Sequence, residues 1–396
     1  MLRQSFKTLG KVYGLQFWLL CLSSVLFFTS FNMIIPELPA YLTELGGEQY
    51  KGLIISLFTL TAAISRPFSG KLSDTIGRIP VMIFGSLVCV ICGFLYPVFA
   101  GVWGFFFIRL LHGFSTGFQP TGISAYVGDL IPFERRGEAM GFLGFFVTLG
   151  FAIGPWLGPR LASNYSVETM FYFSSIAALL SALVVIGMKE TLSETQRFKL
   201  GLLKVNHMDV YEPRVIAPSV VMMLTGFSFG TILTIIPDFS DHLKVANRGD
   251  FFSVYTIAAL FVRLVAGRTS DKFGRVLVLR IATLGLGLSM VLIGISPTKE
   301  YFFAAAVLFG LSSGITSPTV FAWTIDLSSQ HHRGRGMSTM YIALEIGIGS
   351  GALLSAAIYN NQWELFPYAF GLSGIMCLLA FLYLFSKPTG KPVSPS

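Results

Sequence analysis

Charged side chains are scarce in this chain: 20 Asp and Glu and 28 Lys and Arg among 396 residues, 12% in all. That is about half the share of a soluble globular domain. With 53% hydrophobic residues there is too little polar surface to keep such a chain folded in water. Other absences narrow the reading further. Segments of about ten residues with alternating polarity, the mark of a membrane barrel, are missing. The Gly-rich GxxxxGK[ST] loop that an ATP-driven pump needs is missing too. Cysteine is used four times, always inside apolar runs, so no disulfide framework is implied, and the CVIC stretch at 89–92 reads as small buried residues and not as a redox or zinc motif. His331 and His332 are adjacent and no partnered acid or nucleophile accompanies them, so no enzyme constellation emerges. No metal and no cofactor are expected.

What the chain has in abundance is apolar sequence. Crossing about 30 Å of hydrocarbon takes roughly 20 helical residues. Twelve such spans are read, at 16–41, 50–70, 79–100, 102–125, 137–160, 167–188, 215–237, 250–268, 275–296, 300–323, 336–359 and 364–386. The first runs past the apolar core of a signal peptide and has no clean small-residue cleavage site, so it is expected to stay as a helix. The fold class that follows is an all-α polytopic membrane protein. A net charge of +8 invites a nucleic-acid reading. Most Lys and Arg, however, fall in the terminal tails and the loops on one side, with Arg109 and Arg280 inside spans. This is the positive-inside asymmetry that orients helices, and not a nucleic-acid footprint. Both termini are expected on the cytoplasmic side of a cell membrane, with short loops that suit a bacterial inner membrane.

Adding 197 to a position in the first half often returns the same residue in the second. Arg66 becomes Arg263, Gly70 becomes Gly267, Asp74 becomes Asp271, Gly77 becomes Gly274 and Arg78 becomes Arg275. Asp129 becomes Asp326, Arg136 becomes Arg333, and Gly150 and Gly154 become Gly347 and Gly351. A register held over rare charged positions implies two six-helix repeats, 1–188 and 215–396, joined by the hydrophilic linker 189–214. His207 in that linker has no ligand partner nearby and reads as solvated. Duplicated bundles of this kind can rock about a central site near the membrane midplane.

The repeated polar stretch GKLSDTIGR at 70–78, with its near copy GRTSDKFGR from Gly267, falls between spans 2 and 3 and between spans 8 and 9. Gly70 and Gly77 suit a tight reversal, and Asp74 wants a cation or a helix N-terminus. The repeat suggests a latch: Asp74 docks at the start of span 11 and Asp271 at the start of span 5 when the protein is open outward. Asp129 and Asp326, each followed by Arg136 or Arg333, join this gate.

With Gly70, Asp74, Gly77 and Arg78 in place, this stretch resembles motif A of the major facilitator superfamily. The resemblance extends over nearly the whole chain and implies a helical carrier working by alternating access. RLLHGFSTG, from Arg109 through His112 to Gly117, is similar to motif B, where the family has a buried arginine implicated in proton coupling. His112 stands where drug exporters often carry glutamine. GFAIGPWLGP, with Gly150, Gly154, Pro155 and Gly158, resembles the antiporter motif C, although Pro159 replaces a frequent glycine. Glycines four apart allow close helix packing, and the proline interrupts the backbone ladder. Asn32, in the NMIIPELP end of span 1, is expected to face the cavity, and Glu37 to be solvated.

Glu345, in span 11, falls some 15 Å into the membrane by helical rise, and its repeat counterpart is Thr148. A carboxyl at that depth is a functional candidate by default, for a proton or for a cationic group of a substrate. Phe31, Phe146, Phe227, Phe229 and Trp323 are candidates for a greasy cavity lining. The reading that follows is a monomeric secondary transporter of the drug:proton antiporter type, exchanging protons for small amphiphilic organic compounds across a lipid bilayer. The alternative is carriage of one metabolite: a sugar, an amino acid derivative or a siderophore.

Overall fold

Gly77 and Gly274 stand at breaks between helices, whereas Pro67, Pro120, Pro237 and Pro318 lie inside helices. The structure, a computed structural model, describes residues 13–99, 101–131, 136–204, 211–266, 269–328 and 333–388. Twelve long helices lie among them. The first six are α1 (Leu15–Ile34), α2 (Lys51–Ile76), α3 (Arg78–Leu95), α4 (Val102–Leu130), α5 (Arg136–Asn164) and α6 (Val167–Ile186). The second six are α7 (Ile216–His242), α8 (Asp250–Ala266), α9 (Arg275–Gly294), α10 (Lys299–Leu327), α11 (Arg333–Tyr359) and α12 (Phe366–Phe385). After α1 the prolines Pro36 and Pro39 convert the chain into a 3₁₀ turn, Ile35–Glu37, and a short helix, Leu38–Glu44. The Ser166 side chain accepts from Thr169 N at 3.1 Å and caps α6.

Ten helical segments among the described residues are long and apolar enough to cross a membrane. The two long helices outside that set are α4, which carries Arg109, His112 and Gln119 in its interior, and α8, only 17 residues long. Large apolar side chains are exposed along the outer helices, among them Leu87 and Ile91 on α3, Leu183 on α6, Leu288 on α9 and Leu382 on α12. In water this belt would be costly; in hydrocarbon it is the solvated surface. Hydroxyls replace apolar contacts where helices of one bundle meet. Ser23 and Ser181 are 2.8 Å apart between α1 and α6, and Thr231 and Ser373 are 2.6 Å apart between α7 and α12, small polar contacts typical of helix pairs in lipid.

Each set of six packs as a bundle, and the two bundles meet chiefly where α2 lies against α11 and α5 against α8. The repeat interchanges these two pairs. A Cβ added to Gly52 of α2 would lie 3.0 Å from Ala352 O and from Ala356 Cβ of α11, so the backbones are nearly in contact at that end.

The stretch at 70–78 is not the reversal its glycines suggested. α2 continues through Gly70, Asp74 and Thr75 to Ile76, and the turn is confined to Gly77. A helix that leaves the hydrocarbon can continue on polar residues, because its backbone bonds are internal. Gly77 has φ 118° and its repeat partner Gly274 has φ 88°, conformations open to glycine and strained for other residues. Gly267 lies outside the described residues.

Candidate functional site

Glu345 is not a lone acid. It sits on α11 with Arg66 of α2 at 3.1 Å, both side chains more than nine-tenths buried. The Arg66 guanidinium also lies over the Tyr341 ring, 4.3 Å from its centroid. One ion pair thus bridges the two bundles inside the membrane. Arg66 was visible in the sequence only as a repeat match, because residue 66 falls near the end of its span and reads as flanking charge. The repeat of this contact is on the page as well: Arg263 of α8 donates to Thr148 Oγ1 of α5. The equivalent of Glu345 is a hydroxyl.

Arg109 is fully buried in α4, which excludes the snorkelling arrangement open to an arginine near a membrane edge. Its Nε donates to Ile54 O at 2.7 Å and its Nη1 to the Tyr96 hydroxyl at 3.2 Å, and its guanidinium lies 4.7 Å from the Phe58 ring centroid. Nη2 has no hydrogen-bond partner among the described residues. His112 completes the cluster, with Nδ1 at 3.2 Å from the Tyr96 hydroxyl and Nε2 at 3.1 Å from Cys89 Sγ. The Tyr96 hydroxyl, which accepts from Arg109, thus joins Arg109 to the His112 ring. Arg109 and His112 therefore belong to one polar cluster inside the first bundle, apart from Glu345.

Asn32, expected at a cavity wall, is buried against α5: a Cβ on Gly154 would fall 2.9 Å from Asn32 Cβ, and its amide donates to Phe28 O at 2.7 Å. The aromatic candidates are likewise engaged in packing. Phe31 stacks on Phe58 with centroids 4.9 Å apart, Phe146 meets Trp18 edge-on, Phe229 meets Phe309 edge-on, and Phe227 and Trp323 are buried.

Gly150, Gly154 and Gly158 face α1 so closely that side chains do not fit: a Cβ at Gly158 would lie 1.8 Å from Met33 O. Pro155 and Pro159 both fall inside α5. Pro159 has no N–H to offer the carbonyl four residues earlier, that of Pro155. That oxygen instead lies against Gly249, just before α8, where a Cβ would come within 1.7 Å of it. The departure from the motif at residue 159 thus frees a backbone group that touches the other bundle.

The gate residues form matching pairs within each bundle. Arg78 Nε donates to Asp129 at 3.0 Å, and Arg275 Nε donates to Asp326 at 3.0 Å. Arg78 also reaches Asp74 at 2.5 Å, and Asp74 is otherwise well exposed, so in this conformation it pairs within its own bundle. The helix N-terminus that draws a carboxylate here is that of α3: Glu190 of the linker accepts from Arg78 N at 3.1 Å and Ile79 N at 3.0 Å, as the unpaired N–H groups and dipole of a helix start favour. Further along the linker, Glu212 accepts from Arg335 at 3.0 Å, a bond that holds its carboxyl below the usual carboxylate range. The Asp271, Arg136, Arg333 and Gly137 side-chain positions, and His207, lie outside the described residues.

The face opposite the linker holds a set of charges that sequence reasoning missed. Lys51 at the start of α2 is 2.5 Å from Asp238 of α7, with both side chains about nine-tenths buried. Arg248, between α7 and α8, reaches Glu37 at 2.7 Å and Asp241 at 2.9 Å, and Arg160 of α5 reaches Asp250 of α8 at 3.2 Å. Glu37 is buried and paired, not solvated. Three of these pairs cross between bundles on this face. Their signal in the sequence was only that charges near span ends come from both halves with opposite sign.

Comparison with known proteins agrees with this architecture. The family model described as Major Facilitator Superfamily matches residues 20–207 and 219–396. The multidrug resistance protein MdtG of Escherichia fergusonii is 26% identical over 371 residues, 90% of this chain and 89% of that one. Multidrug resistance protein 2 of Bacillus subtilis is 27% identical over 261 residues, 62% of this chain and 64% of that one. The crystal structure of the human organic anion transporter MFSD10 superposes with a TM-score of 0.74 at 19% identity, covering 93% of this chain and 98% of the other. Two duplicated six-helix bundles, the repeated glycine turns with their Arg–Asp pairs, and a family match over nearly the whole length lead to one conclusion: the chain belongs to the Major Facilitator Superfamily.

Proposed function

We propose that this transporter exchanges protons for small amphiphilic organic compounds, moving them out of the cell by alternating access. The observation that carries the reading is the buried Arg66–Glu345 pair between bundles. A proton on Glu345 removes the charge that holds Arg66, and with it the ion pair joining α2 to α11 at that depth. Proton binding and bundle separation are then one event. The multidrug resistance relatives support export of varied compounds.

In this reading the bundles 1–188 and 215–396 rock about the linker 189–214, with both termini in the cytoplasm. The conformation seen here, sealed by Lys51–Asp238 and Arg248–Glu37 on the far face, is the one that loads substrate from the linker side. Asp74 and Asp271 take up their latch positions in the opposite conformation. Arg109 and His112 support the first bundle electrostatically, and Asp129 and Asp326 keep the two turns rigid.

The test is proton flux. Protein reconstituted in liposomes with a pH-sensitive dye inside receives amphiphilic probes of either charge, or glucose as a control. The expected result is a probe-driven pH change in wild type that is lost in Glu345→Gln. An unchanged flux in Glu345→Gln, or probe transport with no proton movement, removes the reading.

A further inference from the structure

The two bundles carry the same arginine at the same place, yet satisfy it differently. Arg66 meets a carboxylate, Glu345, at 3.1 Å and an aromatic face, Tyr341, at 4.3 Å. Subtracting the repeat offset converts Glu345 into Thr148 and Tyr341 into Gly144. Neither partner is present in the second copy of the contact. Arg263 retains the Thr148 hydroxyl and a longer bond, 3.4 Å, to Gly314 O. No carboxylate lies within ion-pair distance of it among the described residues.

The space its missing partners would fill is open. A Cβ built on Gly144 meets nothing within 4 Å, and neither does one on Gly141. Gly141, Gly144 and Thr148 follow one another at helical spacings of three and four along one face of α5, the face that presents Thr148 to Arg263. Arg263 is only partly buried, unlike Arg66. Where Arg66 has an ion pair and a ring, Arg263 has a hydroxyl, a carbonyl and room.

A guanidinium inside a membrane protein pairs with an acid or with backbone carbonyls, or faces a cavity, and its planar fork suits a carboxylate or sulfonate. We propose that Arg263, with Thr148 and the gap over Gly144, binds an acidic group of the transported molecule, so that the substrates include aromatic or amphiphilic organic anions. The inference rests on the exporter reading and names its substrate class. Glu345, neutralised by Arg66, is not available in this conformation to a cationic group. The substrate's acid takes the place that Glu345 has in the pseudo-equivalent site, and its apolar body takes the place of Tyr341.

Two probes of one shape isolate the charge: naphthoate and naphthylmethylammonium. Binding is measured by calorimetry on purified full-length protein in detergent, alongside proton flux in liposomes. Wild type is expected to bind naphthoate at least about tenfold more tightly than naphthylmethylammonium. Arg263→Gln loses that preference, and Arg263→Lys, which keeps the charge without the fork, retains part of it. Thr148→Glu is the decisive variant, since it restores to the second copy the acid of the first and leaves the arginine in place. It is expected to lose naphthoate binding by a similar factor, with a thermal unfolding midpoint at or above that of wild type, which separates the effect from misfolding. Naphthoate binding that survives in both Arg263→Gln and Thr148→Glu overturns the inference, as does a wild type that prefers the cation. If the cation and not naphthoate drives proton flux through wild type, the exporter reading stands while the anion site falls. If neither probe moves protons, the exporter reading falls, and Arg263-dependent naphthoate binding still supports the site.

Discussion

Arg66 of α2 and Glu345 of α11 meet at 3.1 Å across the boundary between two bundles, with neither side chain more than a tenth exposed. Such a pair is a weak source of net stability, but removing one member leaves a buried charge without its partner, at a cost of about 3–5 kcal/mol. Arg66→Gln and Glu345→Gln are each expected to lower the thermal unfolding midpoint in detergent. The double variant should recover part of the loss, because neither charge is then orphaned. Strict additivity in that cycle would show that the two groups do not act as a pair.

The far face is expected to open when its ion pairs are cut. Lys51 and Asp238 are 2.5 Å apart and nearly inaccessible to water, so Asp238→Asn removes one attraction from the sealed conformation and not from its alternative. Spin labels at Gln49 and Gln362, both exposed on that face, should report a longer distance population that grows severalfold. The reversed pair, Lys51→Asp with Asp238→Lys, should restore the short distance. A distribution indifferent to all three variants would separate these charges from the seal.

Glycines of α5 and α11 are predicted to differ sharply in tolerance. At Gly158 a methyl would lie 1.8 Å from Met33 O, and at Gly351 it would lie 2.1 Å from Phe227 O. Alanine at either position forces the helices apart, typically for about 1–3 kcal/mol. Gly141→Ala meets open space and should leave the unfolding midpoint unchanged or raise it slightly through helix propensity. Equal losses at Gly141 and Gly158 would contradict the packing described.

The gate makes a conformational prediction. Here Asp74 bonds to Arg78 within its own bundle, and in the proposed mechanism its latch to α11 forms in the other conformation. Asp74→Asn should therefore favour the conformation seen here, and the distance between labels at Gln49 and Gln362 should remain short under conditions that lengthen it in wild type. By contrast Gly77→Ala is expected to damage folding itself, because φ at that residue is 118° and an added Cβ would meet Glu190 Oε2 at 2.5 Å. A Gly77→Ala protein as stable as wild type would argue against a strained turn.

Much of this architecture was legible in the sequence, because a membrane imposes a length and an apolarity on every spanning helix. The spans, the duplication and the family resemblance all rest on patterns local in the chain or repeated at a fixed offset. The register shows that Arg78 and Asp129 recur as Arg275 and Asp326, although only the structure shows that each arginine meets its aspartate. The course of α2 through Gly70 was not legible, as glycine is compatible with both a turn and a helix, and only the continuing backbone bonds choose between them.

Which charges meet was decided by tertiary structure alone. Residues 66 and 345, 51 and 238, and 37 and 248 are far apart in sequence and come from different bundles, so no periodicity relates them. The sequence determined that one acid would be buried in span 11 and that its repeat counterpart would be a threonine. It did not determine that an arginine would lie opposite each of them. Packing of α2 on α11 and of α8 on α5 set that, and it gave the acid an arginine on one side and gave the second arginine a hydroxyl and a carbonyl on the other. The physical reason is that pairing energy depends on distances of a few ångströms between side chains, which only the docking of two bundles fixes.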